Sequence, residues 1–248
     1  MNLHIDSPYN INLYKTAANP IVIPESLREK IKALLPKIAS AQKFLNKTPK
    51  RKSKTAAILE ISPEEDIYLH EGWSVQMLVM KKTPQNASLD YWEQEKTLFI
   101  STYWVPNYYS IYHEIIHALD PKARPGHEGY IQRDPKTYFM THPGGYLSVP
   151  EEIDAIQSSL VERIINIGKL YKTQDDKSLR DQNAYKKKLD FNQYVNEIQT
   201  WLRSPDTTEL PYALRTAWGI EKWLKDPKLR KQLLSRIYWA LQQLEQLG

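Results

Sequence analysis

Apolar positions recur at helical spacing over residues 24–45, where Leu27, Ile31, Leu34, Leu35, Ile38 and Leu45 fall three, four or seven residues apart. That step puts side chains on one face of an α-helix. Pro24 suits a first helical turn, and Pro36 is expected to kink or split the helix. The pattern then changes. The runs 55–61, 73–80 and 96–104 are rich in β-branched and aromatic residues, and Pro63, Gly72, Pro84 and Asn86 punctuate the gaps. They predict three strands. An apolar-rich stretch from Tyr109 to Leu119 returns to helix, and Asp120 before Pro121 ends it, because a proline disfavours helix in the residue preceding it.

Residues 121–147 show little periodicity and are dense in Pro and Gly. A loop of that length in a compact domain is usually functional or disordered. This one carries His127 and His142, so it reads as functional. A helix follows over about 149–171, then a polar linker from Lys172. The tail, 178–248, reads as helical, with Leu229, Leu233, Ile237, Leu241 and Leu244 on one stripe. The order of elements predicts an α+β chain in three parts: an N-terminal helical segment and basic loop (1–54), a mixed strand-and-helix core (55–172) and a C-terminal helical subdomain (173–248).

Composition narrows the chemistry. At 248 residues and 41% hydrophobic the chain can bury a sizeable core. It has no Cys, which excludes disulfides, thiol catalysis and thiolate-bound zinc. The N-terminus lacks a charged segment leading into an apolar core, and no apolar run reaches a membrane span. The expectation is a cytoplasmic or otherwise intracellular protein with no membrane partner. Net charge is +5, and much of the excess lies in Lys47, Lys50, Arg51, Lys52 and Lys54. That run reads as a solvated loop, so nucleic acid is not the expected partner. The C-terminal helices could instead receive a protein partner.

The chemistry concentrates at His113, Glu114 and His117, an H-E-x-x-H spacing. Two imidazoles four residues apart on a helix share a face and can share a metal ion. The glutamate between them can reach water on that metal and act as the general base. With six histidines in the chain, the spacing arises by chance about once in a hundred such sequences.

A catalytic zinc takes a third protein ligand. Ser148 and Glu151 stand at capping-box spacing, which turns Glu151 back onto the helix start. Four-residue steps from Glu152 reach Ile156, Leu160 and Ile164, whereas Glu151 shares a face with Ala155, Ser158 and Glu162. The first set reads as buried and the second as exposed. A carboxylate on a buried face needs a partner or a metal, so Glu152 is selected as the ligand. His127 and His142 remain competitors from the loop. The longer H-E-x-x-H-x-x-G-x-x-H pattern fails, with Asp120 and Ala123 at its Gly and third His. Tyr146 and His142 are candidate donors to a developing oxyanion, and Asp120 or Asp154 could orient a ligand histidine.

These residues give the chain a resemblance to zincin metallopeptidases of the gluzincin type, with H-E-x-x-H on one helix and a glutamate on a later one. The segment Glu152, Ile153, Asp154, Ala155 is similar to the E-x-[ED]-A segment of ImmA/IrrE-like and phage-encoded metallopeptidases. The resemblance covers about residues 55–171. It implies a zinc-dependent hydrolase of protein or peptide substrates, with Glu152 on the metal. It also implies a small twisted mixed sheet packed on the active-site helix, whose edge strand, the run 96–104, pairs with substrate. The alternative is a zincin-like zinc-binding scaffold or interaction protein without turnover, for which Glu114 would have no use.

Overall fold

A computed structural model describes residues 19–49, 52, 54–62, 74–83, 89–92, 96–119, 147, 149–181, 189–215 and 219–247. The chain divides into two compact units, one spanning Ile21–Ala155 and the other Ile156–Gly248 with Asn19 and Pro20. The sequence placed its last division after residue 172; here the division falls inside a helix.

The first unit opens with α1, Glu25–Lys47. Of the expected stripe Leu27, Ile31, Leu34, Ile38 and Leu45 are buried and Leu35 is half-buried; Ala41 and Gln42 are buried beside them. Pro36 does not split the helix. Proline removes one backbone hydrogen bond, and the buried side chains on both sides of it, at about 1.5–3 kcal/mol each, outweigh that loss. Four strands follow: β1 (Thr55–Ile61), β2 (Val75–Met80), β3 (Leu89–Trp92) and β4 (Thr97–Ser101). Then come α2 (Tyr108–Leu119) and the first turn of α3 (Pro150–Thr173).

The strands form one mixed sheet in the order β1-β2-β4-β3. β1 and β2 are antiparallel, β2 and β4 parallel, and β3 and β4 antiparallel. Two expectations change here. β3 was not anticipated, because four residues are too few to show an alternation. And the run 96–104 is not an edge: β4 lies between β2 and β3, and all five of its residues are buried. Along β2, Val75, Met77 and Val79 are buried while Gln76 is exposed. One apolar core joins these residues to Ile61, Leu98 and Ile100, to the α1 stripe, and to Ile111, Tyr112, Ile115, Ile116 and Leu119 of α2. The arrangement is α+β, with a small sheet sharing its core with the H-E-x-x-H helix.

The second unit is helical. It contains α3 from Ile156 onward, α4 (Asp176–Asp181), α5 (Phe191–Arg203), α6 (Ile220–Lys225) and α7 (Pro227–Leu247). α5 starts on a full capping box: Asp190 Oδ1 accepts the Gln193 amide at 2.8 Å, and the Asp190 amide donates to Gln193 Oε1 at 3.0 Å. Gly219 leads into α6 at φ 87°, a left-handed conformation that glycine adopts without steric cost. Tyr194 of α5 donates its hydroxyl to Ile164 O at 2.8 Å and stacks on Tyr171. Arg236 of α7 is buried and donates to Gln157 Oε1 at 3.1 Å.

Gly168 is packed closely against Leu244 and Tyr194. A Cβ there would stand 2.3 Å from Leu244 Cδ2, 3.4 Å from Leu244 Cδ1 and 3.2 Å from Tyr194 Cε1. Leu244 is fully buried, and both its methyls crowd the position, so rotation gives little relief. Gly168→Ala gains about 1 kcal/mol of helix propensity and loses about 1–3 kcal/mol to overpacking. The expected result is a net loss of stability in denaturant titration; a stabilised variant would show that α3 and α7 can separate at no cost.

Candidate metal centre

α2 is set by its start and by its buried side. Asn107 Oδ1 accepts the Tyr109 amide at 2.8 Å, satisfying one of the amides a helix start leaves open, and Asn107 O accepts the first intrahelical bond from the Ile111 amide at 3.3 Å. Burial of Ile111, Tyr112, Ile115, Ile116, Ala118 and Leu119 fixes the helix about its axis. His113, Glu114 and His117 then occupy the remaining, half-buried positions. The His113 and His117 rings meet edge to face, with centroids 4.7 Å apart and Nε2 atoms 3.1 Å apart.

Glu152 arrives in the first turn of α3, where the helix dipole favours a carboxylate. Its residue is 7% exposed. Its Oε2 lies 3.3 Å from Nε2 of His113 and 3.3 Å from Nε2 of His117. Burial alone would raise the carboxyl group's pKa; the two imidazoles outweigh it and hold the group well below the usual carboxylate range.

The three atoms form a triangle 3.1, 3.3 and 3.3 Å on a side. A tetrahedral ion about 2.0–2.1 Å from each ligand requires sides of about 3.3–3.4 Å. The hydrogen-bonding pattern points the same way. Oε2 is buried and accepts no hydrogen bond of good geometry, although both imidazole nitrogens face it. If both Nε2 atoms carried protons to donate, two N–H groups would confront each other at 3.1 Å. Three ligand atoms within 3.3 Å of one another suit a cation, and His113, His117 and Glu152 could form a metal-binding site. Among the described residues no fourth His, Asp or Glu joins them.

The start of α3 does not present one buried and one exposed face. Ala155, Ser158 and Glu162 are buried, and Ile156 is only half-buried. α3 is enclosed on several sides, so apolar periodicity does not separate Glu151 from Glu152. Proximity to both histidines does. Asp154 and Glu151 are half-buried on the same turn. Asp120, His127, His142, Tyr146 and Ser148 lie outside the described residues.

One contributor to the site's framework was missed. Gln42 is 6% exposed, and its Nε2 donates to Ser101 O and Trp104 O, both at 2.8 Å. It pins the connector that carries the chain from β4 into α2. The sequence held a signal: Gln42 falls at a gap in the stripe, four after Ile38 and three before Leu45, and a polar side chain on a buried stripe must find partners.

Comparison of the chain with protein-family models, with curated proteins and with solved structures finds no match.

Proposed function

We propose that this chain is a zinc metallopeptidase of the gluzincin type. The observation that carries the reading is the convergence of His113, His117 and Glu152 on one point, with Glu114 between the two histidines. His113 and His117 would hold the ion through Nε2, and Glu152 through its carboxylate. Bound zinc supplies a Lewis acid that brings the pKa of water toward about 7 and polarises a carbonyl. Glu114 accepts the proton of the attacking water and delivers it to the leaving amine. The low-lying Glu152 carboxyl stays ionised at neutral pH and so offsets part of the cation's charge.

A two-histidine, one-carboxylate set also suits iron(II). Glu114 favours hydrolysis, since an oxygenase needs no base at that position. Metal analysis separates these outcomes: protein purified without added metal is expected to carry about one zinc per chain. Iron in its place, or no metal even after zinc is supplied, would overturn the proposal.

A further inference from the structure

The fold gathers a charged surface that the sequence does not show as one. Lys43 and Lys47 lie one turn apart near the end of α1, both exposed. Pro49 O accepts the Lys52 amide at 3.0 Å, a tight turn that folds the chain back toward β1. Thr55 pairs with Met80, which sets Lys54 beside the end of β2, where Lys81 and Lys82 follow. Lys81 Nζ donates to Thr48 O at 2.5 Å and ties the end of β2 to the end of α1. Residues 43–49, 52, 54 and 81–82 thus share one end of the α1–β1–β2 layer. Lys52, Lys54 and Lys82 are exposed.

Among the described residues none of Lys43, Lys47, Lys52, Lys54 and Lys82 pairs with a carboxylate. The sequence has no Asp or Glu between Glu29 and Glu60, or between Glu71 and Asp90. Glu60 stands five residues along β1 from Thr55, about 17 Å away at strand rise. Amid the lysines Phe44 is 60% exposed.

We propose that this lysine-rich end of the unit binds single-stranded nucleic acid. Exposed ammonium groups on flexible stems meet phosphates without demanding a fixed geometry. An uncovered aromatic ring between them offers a stacking face for an unpaired base. A membrane surface would call for a broader apolar face beside the charges, and Asn46, Thr48 and Pro49 do not provide one. The surface is independent of the metal centre, and its test does not involve turnover.

The test is fluorescence anisotropy with a labelled oligothymidylate of about 20 nucleotides, titrated at several potassium chloride concentrations. With four or five lysines engaged, log K is expected to fall against log salt with a slope of about −3. Two quadruple variants separate a site from bulk charge. K43Q/K47Q/K52Q/K54Q and K177Q/K225Q/K228Q/K231Q each lower the formal net charge from +5 by four to +1, and all eight positions are exposed. The first is expected to bind at least about tenfold more weakly, the second within about threefold of the parent. Phe44→Ala is expected to weaken single-strand binding by about tenfold and leave binding to a duplex of the same length unchanged. Equal losses in the two quadruple variants would overturn the proposal. So would absence of saturable binding at about 50 mM salt, or binding to phosphatidylserine vesicles alone.

Discussion

Glu114→Gln is expected to retain about one metal ion per chain and to hydrolyse peptides about 10²–10⁴-fold more slowly, the usual contribution of a positioned general base. Gln has nearly the same volume and helix propensity as Glu, and Glu114 sits at a half-buried position of α2 rather than in its apolar core. The variant should therefore keep its fold and its imidazole pair. The loss is expected in kcat with little change in KM, because the proton transfer belongs to the transition state. The measurement is the rate of new amino termini released from a peptide library by metal-loaded protein. Unchanged turnover would remove Glu114 from the role of base. Absence of turnover in the parent protein itself would favour a metal-binding scaffold.

Glu152→Gln is the second large effect. Replacing the carboxylate with a carboxamide keeps the size of the side chain and removes the anionic ligand. Changes to groups that merely orient ligands cost about 10–100-fold in metal affinity, so loss of a direct ligand is expected to exceed about 100-fold. A bound ion at 100 times its dissociation constant stabilises the folded chain by about 2.7 kcal/mol. The parent protein should accordingly melt higher on adding zinc, and the variant should not respond at the same concentration. Glu151→Gln, one residue earlier in the same turn, is the matched comparison. If the two variants lost equal affinity, the ligand would not be Glu152 specifically.

The parts of the fold read correctly from the sequence are those governed by local periodicity. The α1 stripe and the H-E-x-x-H helix repeat at helical spacing, and the runs 55–61 and 73–80, read as strands from their β-branched and aromatic residues, contain β1 and β2. What escaped depended on pairing between distant segments. Nothing in Leu89–Trp92 announces a strand, and nothing in 97–101 says that β3 will cover its outer side. The two histidines were legible because a single helix fixes their separation. Glu152 was chosen partly on a face that proved to be buried too; what distinguishes it is a 3.3 Å approach to both rings, and no one-dimensional pattern encodes that. The lysine surface had the same difficulty, since Lys81 and Lys82 join Lys43, Lys47, Lys52 and Lys54 only through the β1–β2 register.

The distance along the chain between the ligands has a consequence of its own. His117 and Glu152 are 35 residues apart, so an ion held by both closes a loop as a disulfide would, in a chain that has no cysteine. By the chain-entropy relation, a cross-link over a loop of that size restricts the unfolded ensemble by about 4 kcal/mol. The ion would then act as a removable staple as well as a reagent. A chelator should lower the melting temperature of the metal-loaded chain, and resupplied zinc should restore it.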